Sequence, residues 1–275
     1  MSLLWRDQLR IAIAPDRLLA VRISGTIRRQ ILDKQDISVS TQGNDWRTAL
    51  SALTDLLKQP AWQKADAVVI LSNRFAVYQL LPWSGTALSA EEQLARARHV
   101  YAQSHGETAD ALELRISEGD LGEASLAAGV ERELLASLRE GFKASSVRLV
   151  SVQPYLMSAF NGFRNKLGRG ALWFAVLEPG MMCLALLDRG GWQSLRVKQT
   201  SDNWFDDLQL MLRREQVTNG LAEQVRRLAI CLLDGQKVEF SAADGWSLER
   251  LQLSPMHGFS PETDGHLGMA LAGLC

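Results

Sequence analysis

The feature that most restricts this chain is an order of elements that occurs twice. Leu9–Ile13 and Leu18–Ile23 are apolar runs on either side of Ala14-Pro15-Asp16-Arg17, a hairpin pattern with proline and aspartate at its turn. A third strand is read in Arg28–Val39, where apolar and polar residues partly alternate. Asn44 or Asp45 then caps a helix whose apolar residues Trp46, Leu50, Leu53 and Leu57 share one face, and Gln59-Pro60 ends it. Ala67–Leu71 follows, a continuous apolar run of the kind a strand needs when both its faces are covered. The second half repeats the sequence of events. Ala171–Leu177 and Met181–Leu187 pair around Glu178-Pro179-Gly180, and Gly190-Gly191 turns into strand Trp192–Val197. A helix from about Asn203 to Glu215 carries Trp204, Leu208, Met211 and Leu212, and buried strand Leu228–Leu233 ends at Asp234-Gly235. Such a weak internal repeat predicts an α/β protein of two similar domains with a boundary near Ser151–Gly170.

Between the halves lies extra material. Phe75–Leu81 reads as a strand stopped by Pro82, and Ser89 with Glu92 forms a capping box opening a helix to about His105, with Leu94, Ala97 and Tyr101 inward. Short strands at Ala111–Ile116 and Ala124–Val130 flank an acidic, glycine-containing turn. A helix at Glu131–Lys143 carries Leu134, Leu138 and Phe142 on one side. Strand Val147–Val152 leads through Pro154 into helix Tyr155–Leu167, proline being suited to a helix start. Gly265–Leu274, small and apolar, reads as a closing helix.

Composition removes several classes of function. Hydrophobic residues make up 47% and charged residues 22%, which excludes a disordered chain. A net charge of −1 gives no field for gripping nucleic acid or an acidic membrane surface. The longest apolar runs are seven residues, far short of the ~20 a spanning helix needs, so no direct membrane insertion is expected. The first residues lack the basic and apolar regions of a secretory leader. Cys183, Cys231 and Cys275 are too few for a disulfide framework, which points to a reducing compartment, and the first two sit in apolar strands as core residues.

Catalytic signatures are missing too. The chain has no G-x-S-x-G, H-E-x-x-H or G-x-x-x-x-G-K-[ST] motif, and Gly168-Arg169-Gly170 reads as a helix stop. His99, His105, His257 and His266 do not cluster with other ligands, so no metal site is indicated. Asp202, Asp206 and Asp207 stand at an expected helix N-terminus, where negative charge offsets the helix dipole.

Several segments together resemble the actin-like ATPase (ribonuclease H-like) fold, and more narrowly the PilM-type pilus assembly proteins and the cytoplasmic domain of GspL-type secretion proteins. Leu9–Ile23 resembles the opening phosphate hairpin, and Ser89–Leu94 leading into Ala97 and Tyr101 resembles the helix that begins the inserted subdomain. Ala124–Leu138 resembles the strand-to-helix step of that subdomain. Val147–Phe160, with Val152, Pro154 and Ala159, resembles the return into the main domain, and Gly265–Ala272 the closing helix. The resemblance implies a first actin-like domain over 1–153, with a small inserted α+β subdomain at about 85–146, and a reduced second domain over 154–275.

At the nucleotide-binding positions that the resemblance implies, the sequence departs. Active members carry Asp-x-Gly in each hairpin, the Asp orienting Mg²⁺ and the Gly letting backbone reach the phosphates. Here the first hairpin has Ala14 and Asp16 at those positions, and the second has Glu178 and Gly180 around Pro179, which lacks a backbone N–H. The adenosine-side Gly-Gly is represented by Asp234-Gly235. ATP and Mg²⁺ are therefore not expected, and no other cofactor is. The resemblance implies a non-catalytic scaffold of a type IV pilus or type II secretion platform. It would be cytoplasmic and peripheral to the inner membrane, docking the N-terminal PilN-like tail of a bitopic partner between the first domain and its subdomain. Such a groove would be lined from Asn73–Trp83 and Glu91–Tyr101, with Arg74, Tyr78, Trp83 and Arg96 as anchors, aromatic and Arg side chains being favoured at interfaces. Actin relatives can polymerise, and the resemblance leaves self-association of this chain open. The alternative is an ATP-binding switch or a sugar-kinase-like enzyme of the same fold.

Overall fold

The computed structural model describes residues 6–25, 28–40, 43–201, 203–232 and 245–274. In the first half, β1 (Gln8–Ala14) and β2 (Arg17–Ile23) form a hairpin with a two-residue turn, and β3 (Ile31–Ser38) pairs with β2. Helix α1 (Arg47–Lys58) leads to β4 (Asp66–Leu71), which lies parallel to β1. In the second half, β9 (Leu172–Glu178), β10 (Met181–Asp188) and β11 (Gly191–Gln199) form the antiparallel part, and β12 (Arg227–Cys231) lies parallel to β9. The last strands of the two sheets are β8 (Arg148–Pro154), parallel to β4, and β13 (Ser247–Leu251), parallel to β12. Strand order is β3-β2-β1-β4-β8 in one sheet and β11-β10-β9-β12-β13 in the other. The two orders have the same pattern of directions, so the repeat read from sequence is a repeat of topology.

The continuous apolar strands are explained by what covers each face. Trp173, Ala175 and Leu177 of β9 join one core with Met182, Leu184 and Leu186 of β10, under α5 (Trp204–Thr218) and α6 (Gly220–Gln224). Their neighbours Leu172, Phe174, Val176, Cys183, Ala185 and Leu187 face a second core shared with the first sheet through Ala12, Val21 and Ile70. Side chains alternate across a strand, so both faces must be apolar when both are covered. Between the sheets runs α4 (Tyr155–Leu167), contributing Tyr155, Leu156, Ala159, Phe160 and Phe163 to the shared core and stopped by Gly168 at φ 70°. A third core on the far face of the first sheet joins Leu9, Ile11, Ala67 and Val69 to α1 and to α3 (Arg132–Lys143).

The small unit is a three-stranded sheet of β5 (Ala76–Leu81), β7 (Ser125–Glu131) and β6 (Leu112–Ser117), in that order, backed by α2 (Ala90–His105). The capping box at Ser89 is formed, with Ser89 N–H donating to Glu92 at 2.8 Å. Buried Tyr101 donates its hydroxyl to the carbonyls of Val77, 2.8 Å away, and Ala127, 3.0 Å away, tying α2 to two strands. An insertion spanning about 85–146 would leave out β5 and take in α3. Pairing and burial place β5 in the small sheet, and Leu134, Leu138 and Phe142 of α3 in the third core, on the far face of the first sheet.

The chain's closing segment differs from a ten-residue helix. It is a 3₁₀ turn, Gly265–Leu267, then α7 (Gly268–Leu271), a single turn ended where Ala272 is extended. Its carbonyls are captured instead: buried Arg10 on β1 donates to those of Ala270 and Ala272. A guanidinium that satisfies carbonyls at a helix end removes the need for further turns. Asp206 and Asp207 do lie in the first turn of α5, where Lys198 holds the Asp207 carboxyl below its usual range from 2.5 Å; Asp202 and Cys275 lie outside the described residues.

Candidate functional site

The two hairpin turns, more than 160 residues apart in sequence, face each other across a cleft of about 220 Å³. Ala14 and Asp16 line it from the β1–β2 turn, and Glu178 and Pro179 from the β9–β10 turn, with Arg74 and His266 completing the wall. Gly180 stands at φ 73° after Pro179, the residue pattern of a type II turn, and a side chain there would approach the Arg74 guanidinium at 3.7 Å. Asp234 and Gly235 lie outside the described residues.

Glu178 is the unusual member. It is buried, 6% exposed, and its Oε1 accepts the backbone N–H of Asn73 at 2.8 Å. Burial pushes its carboxyl up to about 7, against the hydrogen bonds from Ser72 and Asn73 and the charge of Arg74, which favour ionisation. The same burial raises the Tyr78 hydroxyl and the Cys183 thiol, each with the Glu178 carboxylate nearby. Asn73 organises the surroundings. Its Oδ1 accepts from the Tyr78 hydroxyl at 2.6 Å and from the Leu156 N–H at 2.9 Å. The sequence signal for it is a Ser-Asn step straight after the fully buried strand β4, where a polar side chain meets the sheet's end.

This donor set does not fit a magnesium-bound triphosphate. No carboxylate stands at Ala14, Asp16 brings negative charge to the turn, and the Glu178 carboxylate is committed to Asn73. Pro179 supplies no N–H to an anion, and the cleft is smaller than the ~300 Å³ at which small-molecule sites begin.

A larger feature lies on the other side of the first sheet's end. A groove of about 940 Å³ runs between β8 on one side and α3 with the β6–β7 face on the other. Among the described residues β8 is an edge strand, paired with β4 alone, and it bulges so that Val150 is left without a β4 partner and is 57% exposed. Apolar side chains in the groove include Leu135, Phe142, Leu149, Val152 and Met157. Its charged side chains are Arg6, Arg115, Arg139, Lys143, Arg148 and a single acid, Glu113. Arg139 pairs with Glu113 at 3.0 Å and holds that carboxyl below its usual range. Asp66 bridges Arg148 and Arg6.

Of the residues read as partner anchors, Arg74 lines the cleft, its Nε donating to Asn44 at 2.8 Å, and Tyr78 spends its hydroxyl on Asn73. Trp83, 37% exposed, and Arg96 line a small cavity of about 30 Å³ at the start of α2. None of the four lines the large groove; the cleft brings together Arg74 with Ala14, Asp16 and Glu178, and the groove is lined by other residues.

No protein-family model matches the chain, and no curated protein does. Among solved structures it is similar to a chain of the PilM–PilN type IV pilus biogenesis complex, with a TM-score of 0.67 at 14% identity over 97% of each chain. It is similar to the cytoplasmic domain of EpsL, an inner membrane component of the type II secretion system of Vibrio cholerae, with a TM-score of 0.57 at 13% identity over 90% of each. It is also similar to a Bacteroides thetaiotaomicron protein described as having an actin-like ATPase fold, with a TM-score of 0.56 at 11% identity over 90% of this chain and 91% of that one. With the doubled sheet order described above, these likenesses show that the chain has the actin-like ATPase fold.

Proposed function

We propose that this chain is a non-catalytic scaffold of a type IV pilus or type II secretion assembly platform. It docks the N-terminal tail of a bitopic inner-membrane partner, PilN-like in kind, in the groove beside β8, and so works in the cytoplasm at the membrane surface. The observation that carries this reading is the open edge of β8 at the side of a groove large enough for an extended peptide. An extended segment gains main-chain hydrogen bonds by adding to such an edge, while alternate side chains enter pockets along it. Five basic side chains line the groove against Glu113 within it and Asp66 paired to two of them, a positive excess that an acidic tail complements. Two structural neighbours support the setting: one is from a complex with PilN, the other the cytoplasmic part of an inner-membrane secretion component. The cleft supports the non-catalytic half of the reading, through Ala14, Asp16 and the engaged Glu178.

The test is titration of the chain with the cytoplasmic tails of bitopic inner-membrane proteins encoded beside it, read by calorimetry. One tail should bind, and Val150→Glu, an exposed change that puts an acid in the basic groove, should weaken it at least tenfold without shifting the melting temperature. Failure of every tail, or a Val150→Glu chain that binds as the parent does, would sink the docking reading. Micromolar binding of Mg-ATP in the same instrument, about −8 kcal/mol, would replace the scaffold with an ATP-dependent switch.

A further inference from the structure

Four elements meet at Asn73. Its N–H reaches across to Glu178 at the end of β9, at 2.8 Å. Its Oδ1 takes the Leu156 N–H, in the first turn of α4 between the sheets, and the hydroxyl of Tyr78, on β5 of the small sheet. Asn73 is 1% exposed, so every bond its side chain makes lies away from solvent. Buried polar groups are expected to be satisfied, and here one side-chain oxygen serves two elements at once. The junction also borders both concave features. Ser72 and Glu178 line the cleft, whereas Leu71, Pro154 and Met157, one to two residues from Asn73 or Leu156, line the groove.

The geometry points to a latch: the Glu178–Asn73 contact holds the second unit's turn against the first and, through Asn73, sets the small sheet and α4 at the end of the docking groove. Cleft and groove are thereby coupled through one side chain, since moving Asn73 off Glu178 displaces the acceptor on which Tyr78 and Leu156 rest. The groove half of this inference rests on the docking reading above; the latch half stands without it.

Hydrogen exchange of the full chain, without any tail, tests the latch. Glu178→Gln keeps a carbonyl acceptor for the Asn73 N–H, and Glu178→Leu removes it. The expected result is exchange at least tenfold faster over residues 72–81 and 154–158 in the leucine variant, within threefold of the parent in the glutamine variant, and unchanged over β1 and β10 in both. Unchanged exchange at 72–81 in the leucine variant overturns the latch, and so does a uniform rise over every strand. Should the leucine variant not fold, Tyr78→Phe removes only the hydroxyl bond to Asn73, and it should speed exchange over 76–81; no change there has the same force. The coupling is read from a tail that the parent binds: Glu178→Leu should shift its affinity at least tenfold and Glu178→Gln should not, equal affinities refuting it. A parent chain that binds no tail counts against the docking reading alone, and the exchange pattern still decides the latch.

Discussion

Replacing Glu178 by glutamine should stabilise the protein in mild alkali and leave it nearly unchanged in mild acid. The carboxyl is 6% exposed, and burial, the largest influence on it, lifts it from 4.5 to about 7 in the folded chain. Between those values the folded state holds a proton that the unfolded state has already released. Stability contributed by the protonated form is therefore complete below about pH 4.5, falls as pH rises toward 7, and is gone above it. At 1.36 kcal/mol for each pKa unit, the ionised group costs on the order of 3 kcal/mol above pH 7. Glutamine avoids that cost and keeps a carbonyl acceptor for the Asn73 N–H, the charge-assisted part of that bond being already contained in the value of about 7. The net gain above pH 7.5 is then about 3 kcal/mol, or roughly 6–12 °C for a chain of this length. Thermal denaturation of the parent and the variant from pH 5 to pH 8.5 measures it. Groups common to both proteins cancel in the difference, so the gap should open through the interval 5–7 and level off. A gap that stays constant with pH, or a glutamine variant less stable at pH 8 than at pH 5 relative to the parent, refutes the reasoning.

Arg10→Met should lower stability by about 1–3 kcal/mol, because the buried carbonyl of Ala270 loses its side-chain donor while that of Ala272 keeps the Ser158 hydroxyl at 2.8 Å; melting temperature measures the loss, and faster exchange over 267–274 locates it. Gly162→Ala sets two effects against each other. Alanine suits the interior of α4 by roughly 1 kcal/mol, but its Cβ would sit 2.7 Å from the backbone of Gly273, and overpacking of that kind costs about 1–3 kcal/mol. The clash should win, and a variant that melts higher than the parent would show that the closing segment yields. Tyr101→Phe should loosen the small sheet by about 1–2 kcal/mol, seen as faster exchange over 76–81 and 125–131 with the two large sheets unaffected.

Much of the fold was legible because its signals are local. Pro15-Asp16 and Pro179-Gly180 are the two-residue turns of the two hairpins, Ser89 and Glu92 do form a capping box, and Gly168 does stop α4. Cys183 and Cys231 are buried in strands, as an apolar setting implies. The site was less legible. Trp83, Arg74, Tyr78 and Arg96 have the residue types that interfaces favour, but residue type does not say which way a side chain turns. Tyr78 turns inward to Asn73, and Arg74 turns to Asn44 and the cleft. The groove is walled by Arg115 and Arg139, which no motif or spacing singles out, and by Val150, which a bulge leaves without a β4 partner.

The sequence by itself determined the elements and their doubled order, since turn residues, caps and two-sided apolar runs act within a few positions of the chain. Only the tertiary structure decided which of those elements meet. The Asn73–Glu178 contact spans 105 positions and the Arg10–Ala272 contact 262. Neither partner carries a local mark of the other, because a buried carboxylate or guanidinium is made tolerable by whatever donor or acceptor the packing brings to it. The cleft, the latch at its floor and the basic groove beside β8 are all products of that packing.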